Sequence, residues 1–359
     1  MAPKILLTGP TGYIGGSILT ALLVSPSESL RSHPITCLLR SASAAATLTA
    51  AYGDRVKPVL YEGLDDTDKT TAVASEHDIV INCTVGYHAP SGLALIRGLG
   101  QRKAATGPPV WYLHTSGTSN LGDRPVSGNY LHSPADREFD DAVDDIYAFE
   151  KAREEARPYP QRTAELAAID LGVELGVSTV VIMSPLIYGI GTGLFNKMSV
   201  QVPSMVRMAM MMGRSVVIGN GDGVWGHVHV EDTAELYRVV VEAIADCDGE
   251  GVPTGKKGIL FGGNGLHSWR DVAQGVADAC FDAGEITDRT VLSVSIADAT
   301  KAAAAELNGT MDEDIVEAGF ASNARIVATV AKKLGWVPTR GVEIWQKTFA
   351  DDVRMVMEN

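Results

Sequence analysis

The chain has little of what would tie it to a nucleic acid, a membrane or a disulfide frame. Its 359 residues carry 30 Lys and Arg against 44 Asp and Glu, a formal net charge of −14. The cations form no stripe or block. Phosphate backbones and anionic lipid surfaces are bound by clustered positive charge, so no nucleic acid and no membrane is expected as a partner. No apolar run reaches the roughly 18 residues that cross a bilayer. Cysteine is scarce too. Cys37, Cys83, Cys247 and Cys280 stand far apart with no Cys-x-x-Cys or Cys/His cluster, and the first two lie inside apolar runs. That suits reduced, structural thiols and excludes a zinc frame. Repeats and low-complexity segments are absent, apart from a short alanine-rich stretch at "KAAAAE" (301–306). "MAPKILLTG" passes straight into an apolar segment with no leader ahead of it, so the expected location is cytoplasmic.

What is present is the composition of an ordinary globular protein, 45% hydrophobic and 21% charged. Short apolar runs alternate with helix-compatible stretches. "KILLTG" (4–9), "ITCLLR" (35–40), "VKPVLY" (56–61), "DIVINCTV" (78–85), "VWYLHTS" (110–116) and "STVVIMSP" (178–185) read as buried strands. This order predicts a Rossmann-type α/β fold, a doubly wound parallel sheet covered on both faces. The expected division is a dinucleotide-binding domain over 1–185 and a smaller substrate lobe over 186–359, with segments of about 215–260 returning to the main sheet.

At the first strand–helix junction stands "TGPTGYIGG", with Gly9, Thr11, Gly12, Tyr13, Ile14 and Gly15 in Gly-x-x-Gly-x-x-Gly spacing. Gly9 permits the tight exit from the strand and Gly12 lets backbone approach a pyrophosphate. Gly15 lets the helix pack on the sheet, and the helix N-terminus offers free N–H groups to the anion. The second strand ends at Arg40 and Ser41, where an acid would take the free ribose hydroxyl of NAD and an arginine pairs with a 2′-phosphate. NADP(H) is the cofactor this predicts.

The glycine spacing, "WYLHTSGTSNLGD" at the fifth strand, "SPLIYGIGTG" (184–193), "GNGDGVWGHVHVEDTAELY" (219–237) and "ARIVATVAKKLGWVP" (324–338) together resemble the short-chain dehydrogenase/reductase superfamily. The likeness is to its extended and atypical branches, the NAD-dependent epimerase/dehydratase type, in wording close to uncharacterised fungal members. It implies that Leu64 frames the adenine, that Cys83, Thr84 and Val85 pass the nicotinamide ribose, and that Thr115 and Pro185 border the cofactor. Gly63 replaces the acid that family members usually carry beside Leu64.

Members of this superfamily use a serine, a tyrosine and a lysine four residues after the tyrosine. Ser116 is the candidate serine, although strict alignment puts Gly117 in that slot. Counting back from Glu165, the tyrosine and lysine slots fall on Arg157 and Gln161. Tyr147 and Lys151 have the right spacing but lie upstream of Pro158 and Pro160, which interrupt the helix. The helix that packs on the sheet is expected from about Pro160 to about Gly172. Tyr147 then belongs to a solvated, charge-rich helix. Tyr159 and His88 are the remaining candidate proton donors, with Tyr87 and Tyr188 nearby and His114 a structural residue.

In the second lobe, 196–214 carries Met198, Met205, Met208, Met210, Met211 and Met212, an adaptable apolar lining or a packed helix. Tyr188, Met205, Trp225 and His227 are candidate substrate contacts. Three functions remain open: an atypical NADP(H) reductase acting on a small, fairly apolar carbonyl or enone; a non-redox epimerase, dehydratase or isomerase; and a dinucleotide-sensing regulator without turnover. A monomer or homodimer is expected.

Overall fold

In the computed structural model, which describes residues 2–306 and 310–358, seven parallel strands form the central sheet. From one edge to the other they are Ile259–Phe261, Ser178–Ser184, Trp111–Gly117, Ile79–Asn82, Ile5–Thr8, Ile35–Leu39 and Val56–Leu60. The chain reverses direction of travel across the sheet at Ile5–Thr8 and its neighbour Ile79–Asn82, the crevice where such sheets bind ligands.

Strict alternation builds two cores. Ile5, Leu7, Ile79, Ile81 and Leu113 point to one face and meet Ile18, Leu22, Leu236 and Val240. Leu6, Val80 and Tyr112 point to the other and meet Leu95, Leu99 and Ala168. Because helices cover both faces, the strands are apolar throughout rather than alternating with polar residues.

Of the stretch expected to return from the second lobe, Ile259–Phe261 joins the sheet as its edge, and helix Val230–Cys247 packs on helix Tyr13–Leu23. Strand Val224–His229 goes elsewhere, pairing with Leu186–Tyr188 and Leu266–Ser268. The outer side of the edge strand meets a carboxylate. Asp141 accepts from the Phe261 amide at 2.8 Å and from the Thr329 and Val330 amides at 2.9 Å each.

The two prolines do break the helix. One helix runs Ile146–Ala156, Arg157 is extended, and a second runs Pro160–Leu175 with Pro160 in its first turn. It passes the expected end at Gly172. A side chain there would sit 2.3 Å from the Thr179 methyl, so this glycine serves close packing inside the helix. The terminator is Gly176, left-handed at φ 66°.

The second lobe has its own core of Val202, Val206, Trp225, Trp269, Val272, Trp345 and Phe349. The methionine-bearing helix, Gln201–Met212, turns Val202, Val206 and Ala209 inward. Met205 and Met210 flank that core, while Met211 and Met212 are exposed.

Candidate active site

The three loop glycines have different reasons to be glycine. Gly9 has φ +68°, and a Cβ on it would lie 2.5 Å from the Cys83 carbonyl oxygen; one on Gly15 would lie 2.2 Å from that of Gly9. The chain itself forbids side chains at both. At Gly12 a Cβ would meet only the Gly9 carbonyl oxygen, at 3.4 Å, an ordinary contact. Gly12 also caps helix Tyr13–Leu23 with no side-chain bond to the first-turn amides. The turn thus leaves open space beside the first-turn amides of the helix, the geometry that helix N-termini offer to anions. Thr11 and Ile14 are half-buried beside it. Tyr13 is buried, its hydroxyl donating to the Gly189 carbonyl at 2.7 Å. The loop that follows lies across the helix start, with Gly193 against Gly16 and the Asn196 amide on the Thr11 carbonyl.

Arg40 is exposed at the end of its strand, and its Cδ would lie 4.0 Å from a Cβ on Gly63 across the turn. Ser41 caps helix Ala42–Tyr52, accepting from the Ala44 amide at 3.2 Å and lying 2.8 Å from the Ser43 hydroxyl. Arg40, Ser41 and Ser43 are all exposed at the start of this helix. Leu64 is half-buried on the loop beyond Gly63.

His88 has both ring nitrogens engaged. Nδ1 accepts from the Ser91 amide at 3.3 Å, capping helix Ala89–Thr106, and Nε2 faces Asp65 at 3.2 Å. The cap assigns the proton to Nε2. His88 therefore ties the adenine-side loop to the loop after the fourth strand. Tyr87, 66% exposed, and Val85 stand open beside it.

Beneath that loop Asn82 is a hub. Its side-chain oxygen accepts from the Thr8 and Thr84 hydroxyls, and its amide donates to Tyr112. Cys83 receives the Thr115 hydroxyl, and burial pushes its thiol up to about 12, which makes it inert. The Thr115 hydroxyl also lies 2.6 Å from that of Tyr237. Pro185 is buried against Gly226 and Gly263.

At the end of the fifth strand, Ser116 donates to Glu165, which also accepts from Asn120 at 2.8 Å. Gln161, which the sequence reading placed in the lysine slot, bonds the Gly117 carbonyl, Ser119 and Asn120 through its amide nitrogen at 3.0–3.1 Å. Tyr159 reaches Ser119 at 3.2 Å. Ser116 and Tyr159 are thus brought to one neighbourhood, with His88 on the other loop. Glu150 lies buried against Glu165. No pattern in the sequence singles out Glu150, which sits in a run of charges that reads as solvated. Tyr147 and Lys151 both bond Asp170, at 2.5 and 3.0 Å, alongside Lys256.

Three of the proposed substrate contacts are enclosed. Trp225 uses its indole N–H on Ser322, and Tyr188 is fully buried. His227 lies flat on Trp345 at 4.2 Å, its Nδ1 3.1 Å from that of His267. Burial lowers His227 to about 4 and His267 to about 3, so the pair is neutral. Met205 is the one partly exposed member of the four.

The oxidase ucsJ of an Acremonium species is 30% identical over 317 residues, covering 84% of this chain and 86% of that one. The chain belongs to the short-chain dehydrogenase/reductase superfamily, in its extended, epimerase/dehydratase-type branch. An uncharacterised Saccharomyces cerevisiae protein is 26% identical over 82% of the chain and 84% of its own length. Among solved structures, the dTDP-glucose 4,6-dehydratase DesIV of Streptomyces venezuelae, with NAD bound, matches at TM-score 0.64 and 14% identity over 99% and 97% of the two chains. The UDP-glucuronic acid 4-epimerase of Bacillus cereus matches at TM-score 0.60 and 12% identity over 98% and 99%. No family model matches the chain.

Proposed function

We propose that the protein is an atypical reductase that uses NADP(H) on a small, fairly apolar carbonyl or enone. The observation that carries the reading is the exposed cluster of Arg40, Ser41 and Ser43 at a helix N-terminus, next to a cradle whose Gly12 is open for the chain's own packing. It favours a dinucleotide with an extra phosphate. The likeness to a fungal oxidase supports redox chemistry rather than the epimerisation and dehydration of the structural neighbours. The exposed apolar side chains Val85, Tyr87, Ile190 and Leu194, on the loops after the fourth strand and over the glycine turn, favour an apolar substrate over a sugar.

When bound, a reduced nicotinamide supplies hydride. The chain supplies the rest. Gly12 and the helix N-terminus hold the pyrophosphate, Thr84 and Val85 pass the ribose, and Ser116 polarises the carbonyl. The test is oxidation of NADPH, followed by absorbance, over a panel of aldehydes, ketones and enones. Substrate-dependent oxidation faster with NADPH than NADH is expected; none with any carbonyl, by a protein that binds the dinucleotide, would overturn the reading.

A further inference from the structure

Arg124, Arg153, Arg157 and Arg162 line one narrow hollow beside the break between helices Ile146–Ala156 and Pro160–Leu175. With its mouth the hollow encloses about 260 Å³. The whole chain has a net charge of −14, so four guanidiniums on one concavity run against its general character. Two of them are deeply set, Arg124 at 4% and Arg162 at 6% exposure. Withdrawing positive charge from water is costly unless anions meet it.

The protein's own acids meet half of it. Arg124 Nε binds Asp314 and Arg162 Nε binds Glu154, each at 3.0 Å. Asp123, 3% exposed, accepts from the Asn323 and His132 backbone amides at 3.1 and 3.3 Å. Arg153 hydrogen-bonds only to carbonyls, those of Leu121, Gly122 and Tyr130. Arg157 is exposed, and its side chain has no hydrogen-bond partner among the described residues. Burial, then the charges of Arg162 and Arg124, lower Arg153 to about 10, the direction that crowded like charges give. The wall is also held under strain. Tyr130, whose ring lies 5.4 Å from the Arg153 guanidinium, has φ 55°, a left-handed backbone unfavourable to a residue with a side chain.

We propose that this hollow binds a phosphate group, as the free ion or on a small ester, with Arg153 and Arg157 as its counter-charges. Two guanidiniums without a carboxylate match a dianion, and their planar forks suit its oxygens. The site is distinct from the spot at Arg40. It follows strand Trp111–Gly117, whereas Arg40 follows Ile35–Leu39, three strand spacings or roughly 14 Å across the sheet. It stands whether or not the cleft reduces a carbonyl. Arg153 and Arg162 hold the carbonyls of Asn120, Leu121 and Gly122, so an anion that fixes these arginines also steadies the loop that follows Ser116.

Calorimetric titration of the full chain with inorganic phosphate and with phenyl phosphate, at constant ionic strength, tests the site. Arg157→Ala removes an exposed side chain that braces nothing, and it should weaken phosphate binding about tenfold. Arg40→Ala should bind phosphate as the parent does. If Arg157→Ala does not fold, Asp314→Asn decides: loss of a competing carboxylate should tighten binding, and weaker binding would count against the site. Phenyl phosphate binding more tightly than the free ion assigns the hollow to an ester, and equal affinities assign it to the ion. No heat with either at millimolar concentration overturns the proposal, as does an affinity that falls with Arg40→Ala but not with Arg157→Ala.

Discussion

Tyr147 donates its hydroxyl to Asp170 at 2.5 Å, and Lys151 binds the same carboxylate at 3.0 Å. Asp170 lies five residues after Glu165, so roughly 7.5 Å along the helix from the side chain that meets Ser116. The Tyr-x-x-x-Lys spacing is real, but its two side chains close a contact between helices, with the Tyr147 ring buried in the core rather than on the solvated face its charged neighbours suggest. We expect Tyr147→Phe to leave kcat unchanged and to cost about 1 kcal/mol or less of stability. A positioned acid would instead lose 10²–10⁴-fold. Steady-state kinetics beside a urea titration separate the two; a 100-fold loss of kcat would make Tyr147 the acid after all.

Arg40 should set cofactor preference. NADPH is expected to bind at least tenfold more tightly than NADH, and Arg40→Ala should remove most of that, about 1.5–3 kcal/mol for a charge-assisted bond. Calorimetric titration with both dinucleotides measures it. Equal affinities in the parent would refute the assignment of the phosphate to this spot.

Gly12→Val and Gly15→Val should fail differently. A side chain at 12 meets the chain only at ordinary contact distance, whereas one at 15 collides with the Gly9 carbonyl. The first variant should fold and lose dinucleotide binding; the second should lose stability itself. Circular dichroism melts alongside NADPH titration check this. Normal binding by Gly12→Val would place the cofactor elsewhere.

Asp352 offers a pH test. It is 4% exposed, its Oδ2 has no partner, and burial, then Asp351, raises its carboxyl to about 7. In the unfolded chain the proton leaves near pH 3.9. Between these values the folded state binds more protons than the unfolded one, so this group's contribution to stability falls as pH rises across that window. Asp352→Asn should therefore gain on the parent between pH 4.5 and pH 8, by on the order of 2–4 kcal/mol. Denaturant midpoints at the two pH values read the difference, and a constant offset would mean that Asp352 titrates normally.

The six early strands and the helix break at Pro158 and Pro160 were legible because they rest on local chemistry: unbroken apolar runs, and a residue that cannot sit inside a helix. The end of helix Pro160–Leu175 was not, since whether Gly172 terminates a helix or packs within it depends on Thr179, in a strand not yet placed. The same holds at the site. The purpose of the loop glycines could be read from their spacing, whereas Glu150 looked like one charge among many on a solvated helix. Its burial is a tertiary fact, made by helix Pro160–Leu175 folding over it. His88 shows the converse, a titratable residue after a strand that the structure spends on capping.

The placement of Asp141 bears on how the chain matures. Residues 1–185 contain six of the sheet's strands, but Ser178–Ser184 gains its outer neighbour only from residues 259–261, and that neighbour is closed off by a carboxylate also holding Thr329 and Val330. During synthesis, the outer edge of an apolar strand therefore waits with unpaired amides and carbonyls until residue 261 of 359 has emerged. Unpaired edges of that kind recruit other chains. A fragment cut at 185 should accordingly precipitate rather than fold.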